Sequence, residues 1–469
     1  MTDKDFKSVL SEIEVPVMLK ESVKQAVDTS YSREHKYKFK SKKLWASSIA
    51  SVLIICLAIT GVAISIKGRN INYNDFAIST ATDMVKISGS QHAKNLQANN
   101  IKLDDTVQAQ LNDSLFKLSE ATLLSNEDNS VFSPFAVYFM IGILQEMANG
   151  ETKQQLVDWL GAGAQSDETY KLIYNYFCQN TDEARLLINN SAWFNNLKNY
   201  NQPAAERLAI NYKADIFNGN FNKPVMGKSI RSWLSDNSDG KFGTKNDIGE
   251  MESVLKLFSL IDFSASWDKS NLEETTLKFS AHPNEGSKIA NALLYKSTGK
   301  VFYESANYTS AKVNMLGNYN LVLIKPNGNN TISDILNKGL LQEAATFSLQ
   351  ENLVDGNLVC KFPTFSITSN QDMKKIISNF GVTDIFCADK ANLNNFAAGN
   401  LYVSNFVTKA FISLDKSGAN AGSLLVDDKA PTNVHFNQNQ TLQFELDKPF
   451  IYAIMRNNVP IFTGAVQNI

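Results

Sequence analysis

Four histidines and four cysteines are the side chains best suited to nucleophilic, acid–base or metal chemistry, and their spacing assembles none of it. His35, His92, His282 and His435 lie far apart, with no H-E-x-x-H pair, the spacing that puts two zinc ligands on one helix face. Neither a G-x-S-x-G elbow nor a phosphate-cradling G-x-x-x-x-G-K-[ST] loop occurs. A Ser-His-Asp triad is assembled in space rather than in sequence, so it stays open as an alternative. Cys56, Cys178, Cys360 and Cys387 contain no C-x-x-C and read as small buried hydrophobes rather than zinc ligands or a disulfide framework. No metal or other cofactor is expected. What the chain does carry is a segment whose chemistry is mechanical. In Val407–Val426 a strand-like run ends at Asp415-Lys416-Ser417-Gly418, and Ala419–Val426 follows, mostly small or apolar, with no charge and no proline. A polar, irregular stretch comes next, then a second strand-rich segment from Phe444 to Val466. A loop that begins like a strand can become one.

The elements that would hold such a loop are marked by short blocks along Asp104–Ile469. Asn129-Ser-Val-Phe-Ser-Pro134 opens a helix with a Ser-Pro start, and Ala148–Gln155 follows as A-N-G-E-T-K-Q-Q. Trp233 precedes Gly240-Lys241-Phe242, and Trp267 precedes Thr276. Lys361–Ile367, Gly381–Phe386 and Ala388-Asp389 lead to Pro449-Phe450, Phe462 and Gly464 near the C-terminus. Each block alone is weak. In this order and at this spacing they resemble the serpin family, and the Val407–Val426 segment resembles its reactive-centre loop. The resemblance implies an α+β fold: a large central β-sheet, two smaller sheets and about eight or nine helices.

It also implies a mechanism. A protease attacks the exposed loop and forms an acyl-enzyme, and the cut loop inserts as a new strand of the central sheet, carrying the protease with it. The partner implied is a serine or cysteine protease, and the chain would be an inhibitor rather than an enzyme. Carried over, the hinge is Gly418, Ala419, Asn420, Ala421, Gly422 and Ser423. Taking Gly418 as the hinge glycine fifteen positions before the scissile bond puts that bond at Thr432–Asn433. The two-residue period of a strand then turns Ala419, Ala421, Ser423 and Leu425 inward, all small or apolar. Asp427 and Lys429 also face inward, where an unpaired charge is costly. Counting back from Pro449 instead puts the bond nearer Gln438. The hinge count is preferred, because insertion length is a mechanical constraint and the return segment can loop out.

Other positions depart from the family pattern. Lys416 stands where it has a glutamate in the breach, beside Trp267. In the shutter, where the sheet parts, Ser133 is kept but Ala136, Ser259 and Thr408 replace a serine, an asparagine and a histidine. Those groups normally hydrogen-bond across the opening, so their replacement changes how it is held shut. Either Ser259 and Thr408 rebuild a smaller network, or the domain no longer runs the full transition. The second alternative is a non-inhibitory binding protein of serpin fold, cleaved as a mere substrate.

Bulk composition, 43% apolar and 20% charged with net charge -2, suits an ordinary globular chain with no call for nucleic acid. Leu44–Ile66 is 23 residues without a charge, enough at ~1.5 Å per residue to cross a bilayer's hydrocarbon core. It follows 43 residues, too many for a cleaved signal peptide, and Ile55 before Cys56 does not suit a lipoprotein site. An uncleaved signal-anchor is expected. Arg33, Lys36, Lys38, Lys40, Lys42 and Lys43 crowd its N-terminal side, so residues 1–43 are assigned to the cytoplasm. That head resembles the cytosolic heads of small bacterial membrane proteins. Residues 67–103 read as an extracellular tether and 104–469 as an extracellular domain acting as a monomer.

Overall fold

The structure is a computed structural model, and it describes residues 73–79, 103–160, 167–181, 183–251, 253–267, 272–282, 286–347, 354–404, 406–420 and 441–469. The chain divides into two units, Met1–Asn70 and Ile71–Ile469, and every described residue belongs to the second. The head 1–43, the candidate span 44–66 and the loop from Ala421 to Gln440 lie outside the described residues. Among the described residues no helix is long and apolar enough to cross a membrane.

Ten α-helices are described: α1 (Asp105–Leu124), α2 (Pro134–Met147), α3 (Gly150–Leu160), α4 (Asp167–Phe177), α5 (Gln202–Asn211), α6 (Pro224–Asp236), α7 (Lys245–Ile248), α8 (Ile332–Asn337), α9 (Leu341–Thr346) and α10 (Met373–Asn379). The four-residue α7 accounts for part of the excess over the eight or nine expected. Local chemistry starts the first two. Asp104 caps α1 by accepting from the Thr106 and Val107 amides, and Ser133 caps α2, with Pro134 in its first turn. All of α2 except Glu146 is buried, as suits a helix apolar on every side. It sits in the main core with side chains from both sheets.

The central sheet has eight strands: β1 (Ala77–Ser79), β3 (Gln179–Asn180), β4 (Ala184–Asn195), β5 (Ala214–Gly219), β6 (Leu255–Ser266), β12 (Phe365–Asp372), β13 (Val407–Asp415) and β14 (Gly418–Asn420). Their spatial order is β1-β5-β4-β6-β14-β13-β12, with β3 beside β4. The second ladder holds β2 (Ser130–Phe132), β7 (Leu272–Phe279), β8 (Lys288–Glu304), β9 (Tyr308–Asn314), β10 (Tyr319–Pro326), β11 (Val354–Pro363), β15 (Thr441–Glu445), β16 (Phe450–Arg456) and β17 (Val459–Val466). The two smaller sheets expected are the two ends of this ladder. The 17-residue β8 joins them, pairing with β7 and β11 along most of its length and with β9 at Phe302–Glu304.

Several motif residues have plain structural work. The Asn129 carboxamide accepts from the Gln467 and Asn468 amides and donates to the Asn468 carbonyl, pinning the C-terminus. Gln155 accepts from the Thr383 and Asp384 amides, both at 3.0 Å. The Trp233 indole donates to Asp215 at 2.9 Å, tying α6 to β5. Within the 67–103 segment, Tyr73–Ser79 is part of the folded body. β1 pairs antiparallel with β5, and Tyr73 meets the Phe217 ring edge-on at 5.9 Å.

Candidate functional site

The site is the seam between β6 and β13, and it begins at a turn. The Asp415 carboxylate accepts from the Ser417 amide at 2.7 Å, closing the end of β13. The Trp267 indole donates to the Asp415 carbonyl at 2.6 Å and is itself buried, so it fixes where the chain leaves that strand. Gly418 then takes φ 153° against the backbone of β6, where a Cβ would lie 2.1 Å from the Ala265 carbonyl oxygen. Only glycine fits that approach.

From Gly418 the chain is already a strand. β14 pairs with β13 as Asp415↔Gly418, Leu414↔Ala419 and Ser413↔Asn420. On its other edge it pairs with β6 as Gly418↔Ser266, Ala419↔Ala265 and Asn420↔Ser264. Ala419 is buried in the main core, on the inward face its alternation predicts. Below Asn420, no ladder joins β6 to β13 among the described residues. The remaining hinge positions Ala421, Gly422 and Ser423, and the expected scissile pair Thr432–Asn433, lie outside the described residues.

The shutter positions do not form one network. The Ser133 hydroxyl donates to the Ile461 carbonyl at 2.9 Å and accepts from the Ala136 amide, which ties α2 to β17 rather than to the opening strands. Ala136 is buried without a polar side chain. Ser259 faces Asn190 across the β4–β6 ladder, and its hydroxyl is buried with no partner among the described residues. Asn190 donates to the Tyr212 carbonyl at 2.8 Å. Thr408 is buried on β13 opposite Gln371. At the breach, Lys416 reaches Glu274 at 3.8 Å with both side chains exposed, a pair of little energetic consequence.

Sequence reasoning passed over the outward row of β6. Lys256 and Asp262, both at even positions, are the two charged residues of a strand whose other residues are apolar or serine. Burial pushes the Lys256 ammonium down to about 8, against the pull of Glu250. Burial raises the Asp262 carboxyl, and the Arg185 guanidinium 2.5 Å away offsets part of that rise. Of the four histidines only His282 is described, and it is exposed. No group of metal-ligating side chains is found among the described residues.

A three-residue strand entering the middle of a large sheet, between β6 and β13, is the feature of a class of proteins built around an expandable central sheet. The serpin (serine protease inhibitor) family pattern matches residues 109–469, and the chain belongs to that family. Human Serpin B7 is 25% identical over 251 residues, covering 51% of this chain and 63% of that one, less than two thirds of its length. The mouse plasma serine protease inhibitor is 22% identical over 370 residues, covering 76% and 88%. Among solved structures, the native state of the thermophilic serpin tengpin aligns with a TM-score of 0.66 at 24% identity, covering 78% of this chain and 95% of tengpin. Members of the family are typically protease inhibitors rather than enzymes, with some non-inhibitory ones.

Proposed function

We propose that this chain inhibits serine or cysteine endopeptidases by loop cleavage, acyl-enzyme trapping and strand insertion. The observation that carries this reading is β14: three residues of the loop's start already bond to both β6 and β13, with Ala419 in the core. Strand addition then needs only to propagate, because among the described residues the facing edges of β6 and β13 are unpaired with any strand below Asn420. Insertion would extend β14 down the seam between β6 and β13, which no ladder joins below Asn420 among the described residues, and that gain is the driving force. The scissile bond is assigned to Thr432–Asn433 by the hinge count.

The reading includes place as well as chemistry. Residues 44–66 would anchor the chain in a bilayer with 1–43 cytoplasmic and the serpin domain outside, acting as a monomer, in a bacterial source. The charge asymmetry about 44–66 supports that orientation.

A second reading is favoured by the unpartnered Ser259 hydroxyl and the side chain lost at Ala136: a serpin-fold binding protein that proteases merely cut. Heat resistance after nicking separates the two. An inhibitor nicked in its loop gains heat resistance as the sheet completes, whereas a mere substrate unfolds at the temperature of the uncut chain.

A further inference from the structure

Asparagine followed by glycine leaves a side-chain amide open to its own backbone, because glycine has no Cβ to shield the next nitrogen. The chain holds three such pairs, Asn149-Gly150, Asn218-Gly219 and Asn327-Gly328, and all three are described. In two of them both ends of the carboxamide are held away from the glycine. Asn218 accepts from the Leu197 amide and donates to the Leu197 carbonyl, each at 2.8 Å. Asn327 accepts from the Thr309 hydroxyl at 3.0 Å and donates to the Ser305 carbonyl at 2.8 Å. Both asparagines are half-buried.

Asn149 differs on each count. It is exposed and stands at the entry to α3, where its carbonyl accepts from the Lys153 amide at 3.4 Å. A capping asparagine ordinarily turns its side chain to the second or third helical amide. Here Oδ1 accepts from the first, the Gly150 nitrogen, at 2.8 Å, and the carboxamide makes no other bond among the described residues. That contact holds the Gly150 nitrogen beside Cγ. The Gly150 amide is one of the leading N–H groups of a helix that have no intrahelical acceptor, so the ladder does not claim it. Its φ of 55° is a conformation that glycine takes without strain.

We propose that Asn149 is a site of spontaneous deamidation, at which the Gly150 nitrogen closes on Cγ and the carboxamide becomes a carboxylate. The Gly150 N–Cγ bond forms, the Cγ–Nδ2 bond breaks, and Nδ2 leaves as ammonia with the proton given up by Gly150. Water then opens the succinimide and restores the Gly150 N–H. Opening at Cγ gives aspartate, and opening at the main-chain carbonyl gives an isoaspartyl link that runs through Cγ. No oxidant, reductant or cofactor enters. The isoaspartyl product lengthens the chain between α2 and α3, where the Asn149 amide donates to the Asn392 carbonyl at 2.9 Å and the Asn392 amide to the Thr152 hydroxyl at 3.1 Å. Its cost falls on the stretch around Asn392, whose neighbours Leu393 and Phe396 are buried. The modification is independent of loop insertion.

The test uses the full chain in detergent, wild type and Asn149→Gln, held at mildly alkaline pH either folded or in urea. Peptide mass spectrometry with fragmentation places each amide-to-acid conversion. In the folded chain Asn149 is expected to convert at least about tenfold faster than Asn218 and Asn327, each of which must first break two hydrogen bonds. In urea the three should converge, and Asn149→Gln should show no conversion at that position. Equal rates at the three sites of the folded chain overturn the proposal. So does the same bias persisting in urea, which would assign it to local sequence rather than to the fold. Hydrogen exchange of the separated isoaspartyl form should be faster than that of the unconverted chain at residues 391–397, and unchanged exchange there would overturn the coupling to Asn392.

Discussion

A methyl group at position 418 has nowhere to go, because the Ala265 carbonyl would stand 2.1 Å from it. Gly418→Ala is therefore predicted to push β14 out of the sheet, seen as loss of hydrogen-exchange protection at Ala419 and Asn420. Retained protection there would contradict the placement. Three residues on, Ala421→Arg puts a charge on the inward face of an entering strand, where desolvation opposes it. Cleavage should persist while covalent trapping is lost, and an unchanged yield of complex would count against insertion. Lys256 makes a pH prediction. Its folded value is pushed down to about 8 from 10.5 by burial, so between those values the unfolded chain binds more protons. Stability against unfolding should then rise as pH climbs from about 8 towards 10.5. Lys256→Met should remove its share of that rise, measured as the slope of urea-unfolding stability against pH. Gly418 and Ala419 were legible in the sequence because the small, uncharged run that begins at Gly418 resembles the hinge of the family's reactive-centre loop. The Lys409–Asp247 ion pair between β13 and α7 was not, since nothing local joins residues so distant until the fold brings them together.

At the scale of elements, the strands and the family blocks were readable because each has a period or a cap: Ser133-Pro134 starts α2, and Trp267 closes β6. The one available signal for the seam's outer face was the pair of charges, Lys256 and Asp262, on the same parity of a strand otherwise apolar or serine. β1 escaped notice because three residues in a polar surrounding carry no pattern. Yet it matters to the sheet's edge. Tyr73 packs on Phe217 and is hydrogen-bonded with Asp236, while Phe76 and Ala77 lie against the Trp193–Trp233 cluster beneath α6. Tyr73→Ala is predicted to cost about 2 kcal/mol through lost burial and ring contact, measured by urea unfolding. A variant as stable as wild type would show that β1 only rests on the edge. The 67–103 segment, expected to be a tether, thus holds a docked strand.

For the whole molecule, the central claim is that the native form is poised: a strand three residues into the central sheet, with no ladder joining β6 to β13 beyond it among the described residues. Placement in the cell is a separate expectation. External protease on intact cells should degrade the serpin domain and spare about the first 43 residues, as the positive flank requires. Protection of the domain until lysis would reverse the topology. The exposed loop also offers Lys429 and Phe436 to proteases, but the strand that inserts must have the right length. Cutting at Lys429 leaves it three residues short, roughly 10 Å at ~3.3 Å per residue, and cutting at Phe436 leaves slack in which the acyl bond can hydrolyse. The decisive measurement is to incubate the full chain with a panel of serine and cysteine proteases, resolve the products on a denaturing gel and identify the released C-terminal peptide by mass spectrometry. An SDS-stable complex with a peptide beginning at Asn433 is the predicted result, and cleaved chain with no complex for any protease would contradict the trapping mechanism.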